Sequence, residues 1–180
     1  GEPPVTAPET QDAHIFVMAS PRSGSTLLRL MLTCHRNIVI PPECGFAVWL
    51  HDRYVEEWAR TPPGDLAELI DRFCGDVVEC RKFEHWDLPL PRPRQPRQGA
   101  QPPTSAAAVS AVYRCYAEAH WTASTRWGDK NNWYLDHIPV LDSMFPQARF
   151  VHVVRDGRNV ATSYRRLDAL QLRSRYAPRL

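Results

Sequence analysis

The sequence predicts an α/β domain in which a parallel sheet is flanked by helices. Three observations carry that expectation. The runs "HIFVMA" (residues 14–19) and "ARFVHVVR" (148–155) have the length and apolar content of buried strands. Each is followed by turn residues and then by a segment with helical character. Strand-like and helix-like stretches alternate along the chain, with no internal repeat. With 180 residues, 43% of them hydrophobic and 23% charged, there is material for one domain with a real core.

Taken in order, "GEPPVTAPETQDA" (1–13) reads as a flexible polar leader, and residues 14–180 as the domain. His14 to Ala19 is the first strand. Thr26 to His35 spaces Leu27, Leu28, Leu30, Met31 and Leu32 as a helix does. "NIVI" (37–40) is a second short strand, stopped by Pro41-Pro42, which cannot extend a ladder. Phe46 to Arg60 is helical in period. "TPPGDLAELIDRFCG" is a further helix, with prolines at its start and Gly75 at its end. Residues 87–103 are proline-rich, with three arginines and no aromatic residue, and read as an irregular or polyproline II surface insertion, or else a lid over a site. Ser105 to Thr125 is a long helix, "RWGDK" (126–130) a strand end, and Tyr134 to Phe145 a helix despite Pro139. "ARFVHVVR" is the clearest buried strand, and "DGRNVATSYRRL" turns into the last helix.

Composition excludes some functions. The net charge of +2 does not mark a nucleic-acid binder, and the arginines crowding residues 165–180 read as a solvated helix face. No apolar run approaches the ~20 residues of a membrane span. The cysteines, Cys34, Cys44, Cys74, Cys80 and Cys115, are odd in number and lack C-x-x-C spacing. Reduced, mostly buried thiols follow, and with them a cytoplasmic setting, with neither metal nor disulfide framework.

Chemistry concentrates at two strand-turn-helix joints. "SPRSGST" (20–26) has the outline of a phosphate-binding loop, Ala19-x-x-x-x-Gly24-Ser25-Thr26, with serine where the Walker pattern has lysine. Loop amides and a helix N-terminus suit an anion. Ser23, Ser25 and Thr26 add hydroxyls, and Arg22 a planar charged fork. The absent lysine serves the β- and γ-phosphates of a nucleoside triphosphate, so a kinase or ATPase is disfavoured. The second joint is "VHVVRDGRNVATS" (151–163). Arg155 falls at the carboxyl end of a strand, where open α/β sheets bind ligands, and Ser163 lies eight residues on. Its plain alternative is an Arg155–Asp156 surface pair with a serine inside a helix.

Together these joints resemble the sulfotransferase superfamily that uses 3′-phosphoadenosine 5′-phosphosulfate (PAPS). The likeness is to the branch of tyrosylprotein and many bacterial sulfotransferases. That branch runs "PRSG(S/T)T", "H…E", "(D/N)K" and "FP.A.F…VRDGR…S". Here these are Pro21 to Thr26, His35 with Glu43, Asp129-Lys130, and Phe145-Pro146 through Ser163, an ordered match over residues 14–166. The resemblance implies a P-loop-type three-layer domain. It implies that Ser23, Gly24, Ser25 and Thr26 hold the 5′-phosphosulfate, with Arg22 at the sulfonate–phosphate bridge, and that Arg155 and Ser163 hold the 3′-phosphate. Arg22 and Lys130 then stabilise charge on the bridging oxygen, and Glu43 is the general base. PAPS would be donor and 3′,5′-adenosine diphosphate (PAP) product, with a small-molecule or lipid-like acceptor and no metal.

Some alternatives stay open. Glu43 precedes a helix and could merely cap it. Small-molecule sulfotransferases of the cytosol use a histidine base, so His85 and His120 remain candidates, while His35 reads as packed at the end of the first helix. Trp133 and Tyr134 read as core aromatics, or else as acceptor-pocket or base-stacking surface. Asn131-Asn132 replaces a proline-containing step of the family. Resembling proteins also continue well past the last motif, so the domain is expected to be incomplete at its C-terminus. A non-catalytic nucleotide-binding module is the alternative function.

Overall fold

The computed structural model of the chain describes residues 14–89, 91, 104–120 and 126–169. Four parallel strands organise them: β1 (Ile15–Ala19), β2 (Ile38–Val39), β3 (Arg126–Lys130) and β4 (Arg149–Val153), in the order β2-β3-β1-β4. The α/β class is therefore as expected. From β1 the chain runs through helix α1 (Ser25–Thr33) to β2, two places away. It later inserts β3 between them and crosses β1 to add β4. Connections thus leave β1 toward opposite sides of the sheet, which makes its carboxyl end a switch point where such sheets bind ligands.

Side-chain alternation along β1 splits the core into two layers. Ile15 and Val17 pack with Ile40 beneath Leu28 and Leu32 of α1. Phe16 and Met18 face the larger layer, built on α2 (Phe46–Trp49), α3 (His51–Arg60), α4 (Leu66–Glu79), α5 (Ser105–His120) and α6 (Ile138–Met144). Aromatic rings fill its centre: Tyr113 stacks on Trp127 at 4.2 Å between centroids, and Phe16 meets Trp127 edge-on. Phe16, Val17, Met18 and Ala19 are each at most 1% exposed. Burying a side chain such as Phe16, Val17 or Met18 contributes on the order of 2 kcal/mol. Helix α7 (Gly157–Ala169) follows β4.

Several element boundaries differ from the sequence expectation. The helical stretch 46–60 breaks at Leu50 into α2 and α3. Gly75 does not end α4, which runs on to Glu79. Leu66, Leu69, Phe73 and Val77 keep one stripe buried past it, which outweighs the ~1 kcal/mol cost of an interior glycine. The expected helix 134–145 begins as a 3-10 turn, Asn132–His137, and Pro139 sits in the first turn of α6, where a proline fits. "ARFVHVVR" is not the most buried strand. β1 holds that place, and β4 pairs only with β1 among the described residues, leaving Arg149 and His152 exposed. Apolar content reports a buried face but not a strand's rank within the sheet.

The five cysteines are free, and only Cys44 and Cys74 are fully buried. Arg165 and Arg166 are exposed on α7. The leader 1–13, all but four residues of the proline-rich segment 87–103, the end of the expected helix 105–125, and Arg173, Arg175 and Arg179 lie outside the described residues. Among the described residues, no helix is long and apolar enough to cross a membrane.

Candidate active site

Strand register assembles the site. In β1, Ala19 stands opposite Val153 of β4, so the loop after β1 and the segment carrying Arg155 leave the sheet side by side. Val17 stands opposite Lys130, the last residue of β3, and the Asn131 amide donates to the Val17 carbonyl at 3.0 Å. Residues from three separate motifs therefore reach one edge. They line a cleft of about 560 Å3, within the ordinary range for small-molecule sites.

The loop supplies the cleft's floor. Gly24 has φ 94°, a left-handed conformation natural to glycine, and stands at the N-cap of α1. No side chain caps that helix, so its first-turn N–H groups and positive dipole end stay available to an anion. Arg22 also has positive φ, 69°, a cost for a side-chain-bearing residue that concentrates at functional positions. Pro21, Arg22, Gly24, Ser25 and Thr26 line the cleft, whereas Ser23 is buried and does not.

The loop and the second joint are bonded to each other. Arg155 Nη1 donates to the Arg22 carbonyl at 3.0 Å, and Arg22 Nε donates to Ser163 Oγ at 3.0 Å. Arg155 lines the cleft, while Ser163 touches it through Arg22. The alternative Arg155–Asp156 pair does not form. Asp156 binds Arg158 instead, Nη2 to Oδ2 at 2.6 Å, which holds its carboxyl below the usual range.

Glu43 faces the loop from the segment after β2. Lys130 Nζ donates to its Oε1, and Lys82 Nζ donates to its Oε2 at 2.6 Å. Burial acts to raise this carboxyl, but the two lysines, Lys130 first, overcome it and hold the pKa below the ordinary glutamate range. Glu43 caps no helix: the N-cap of α2 is Gly45, without a side-chain bond. Behind Lys130, fully buried Asp129 accepts from the Tyr113 and Tyr134 hydroxyls and, at Oδ1, from the Lys130 amide at 2.6 Å. Burial pushes its carboxyl up to about 7, against those bonds. This knot fixes the end of β3 and hence the root of Lys130.

The alternative bases lie elsewhere. His85 is exposed beside Glu84, and the His120 ring meets the Trp86 carbonyl at 3.0 Å; neither lines the cleft. His35 is exposed rather than packed, its Nδ1 accepting from the Asn37 amide, because α1 ends at Thr33 and leaves it outside the last turn. The paired aromatics separate: Tyr134 is core, whereas Trp133 is 49% exposed and lines the cleft with Asp136. The 3-10 turn, by carrying Tyr134 to Asp129, leaves its neighbour outside. Sequence reasoning missed Lys82, which belongs to no motif, and the tyrosine partners of Asp129, which lie far from one another in sequence.

A sulfotransferase family model matches residues 14–178. The chain belongs to the sulfotransferase family. A search of curated proteins finds no match. Sulfonate transfer is the reaction that family membership supports for this sulfotransferase, and its α/β sheet fits that family's fold. Among its described residues, no group of three or more His, Cys, Asp or Glu could hold a metal ion.

Proposed function

We propose that this sulfotransferase takes its sulfonate from PAPS and delivers it to the hydroxyl, or amine, of a small-molecule or lipid-like acceptor, with Glu43 as general base. The observation that carries the reading is the convergence of Glu43, Lys130, Arg22 and the uncapped start of α1 on one cleft. PAPS, when bound, supplies a sulfonate on a phosphate leaving group. The α1 N-terminus with the hydroxyls of Ser25 and Thr26 suits the 5′ anion, and Arg155, beside the loop at the Arg22 carbonyl, suits a 3′-phosphate. No lysine is required at position 25, because no γ-phosphate has to be neutralised.

In this reading Glu43 accepts the acceptor's proton as the acceptor oxygen bonds to sulfur. Arg22 and Lys130 stabilise the negative charge that grows on the bridging oxygen as the sulfur–oxygen bond breaks and its electron pair leaves with PAP. Asp129, through the Lys130 backbone, keeps that ammonium at the cleft. The test is transfer of 35S-labelled sulfonate from PAPS to a panel of small alcohols and amines. Glu43→Gln is expected to lower transfer at least a hundredfold while leaving PAP affinity within about twofold. Full activity in that variant would remove Glu43 from the base role.

A further inference from the structure

Lys82 carries more than a surface charge. It has φ 73°, one of three non-glycine residues with positive φ among those described, and a second, Arg22, lines the same cleft. The surroundings enforce this conformation. Lys82 heads a 3-10 turn, Phe83–Trp86, whose rings are core, Phe83 at 2% and Trp86 at 0% exposure. Trp86 Nε1 donates to the Pro42 carbonyl at 2.8 Å, tying the turn to the residue next to Glu43. The His85 amide closes the turn on the Lys82 carbonyl. Strain held in place by its surroundings in this way points to a position whose side chain has a task.

What it positions is the second oxygen of Glu43. Oε1 is taken by Lys130 and Oε2 by Lys82, with side-chain exposures of 5% for Lys130, 22% for Glu43 and 31% for Lys82. The other charged groups around the carboxylate are Asp129 behind Lys130, and Arg22, Arg155 and Asp136 in the cleft. Lys130 cannot serve Glu43 and a departing bridging oxygen equally well. Were Lys130 to turn to the donor, Oε1 would be freed for the acceptor's proton, and of these two contacts the Lys82 one would still fix the carboxylate's plane.

We propose that Lys82 is a positioning residue for sulfonate transfer, holding Glu43 ionised and aimed into the cleft through Oε2 while Lys130 attends the donor. The proposal rests on the functional reading above. In the step it supports, the acceptor's proton passes to Glu43 Oε1, the acceptor oxygen–sulfur bond forms, and the bridging sulfur–oxygen bond breaks with its electron pair leaving on PAP. Lys82 itself gains and loses nothing.

The test begins without turnover. With 13C-carboxyl glutamate, and Glu43→Gln to assign the signal, the Glu43 midpoint is followed by NMR in the wild type, Lys82→Met and Lys82→Arg. Loss of one of two contacting cations should move the midpoint up by about one pH unit in Lys82→Met, and Lys82→Arg should restore most of it. PAP affinity within about twofold of wild type shows that the variants are folded. The pH profile of PAPS consumption should follow: the acidic limb moves up by the same amount in Lys82→Met, with donor KM unchanged. An unmoved midpoint overturns the proposal, as does lost turnover with an unmoved limb. A wild type that consumes no PAPS overturns the functional reading and with it the role in transfer, while the titration separately reports whether Lys82 holds the carboxylate.

Discussion

Asp129 shows how much one buried carboxylate can decide. Two tyrosine hydroxyls and the Lys130 amide favour its ionised form, yet burial wins and its pKa stands near 7, with the Glu43 charge adding to the rise. A folded-state value above the unfolded one means that the stability tied to the protonated form is complete below about pH 4 and disappears as pH rises through about 7. Urea denaturation of wild type and Asp129→Asn across pH 4–8 should therefore diverge. Wild type loses stability relative to the variant by up to roughly 4 kcal/mol over that window. Parallel curves would show that Asp129 is ionised throughout. Glu43 acts in a separate window, since its lowered pKa costs stability only as pH falls below the ordinary glutamate range.

Strand ends set the geometry of the site. Gly128, in the middle of β3, lies where an added Cβ would come 2.6 Å from the Ile15 carbonyl oxygen and 3.1 Å from Ile40 Cγ1. A backbone atom cannot swing aside, so Gly128→Ala should force β3 from β1. The expected cost is about 1–3 kcal/mol, read as a lower urea midpoint, together with reduced transfer because Lys130 shifts with its strand. An unchanged midpoint would contradict the tight β1–β3 register. Much at this scale is legible in the chain. The apolar run before "SPRSGST" and the leucine spacing after it suffice for β1, the loop and α1. The place of β4 at the end of the strand order among the described residues is not legible, because strand order depends on which crossovers pack over the sheet and not on local hydrophobicity. Nor is the passage of α4 through Gly75, which the buried stripe on both sides decides.

Across the whole molecule, one edge of a parallel sheet gathers residues from position 22 to position 155 into a single cleft. Arg22, Glu43, Lys130 and Arg155, which line it, and Ser163, which bonds Arg22, could be singled out in the sequence because each is tied to a short local pattern. Lys82 was unreadable because its placement comes from a turn held by Trp86 and Pro42, residues 44 apart in sequence. Arg155, whose guanidinium bonds the Arg22 carbonyl, is the residue proposed above to hold the 3′-phosphate that distinguishes the donor from an ordinary nucleotide. Arg155→Ala should weaken PAP binding by ten- to a hundredfold and leave ADP binding nearly unchanged. The most direct measurement is calorimetric titration of the wild-type protein with PAP and with ADP under the same conditions. A PAPS-dependent sulfotransferase binds PAP at least tenfold more tightly, and that preference collapses in Arg155→Ala. Equal affinity for the two nucleotides would contradict the assignment of the donor.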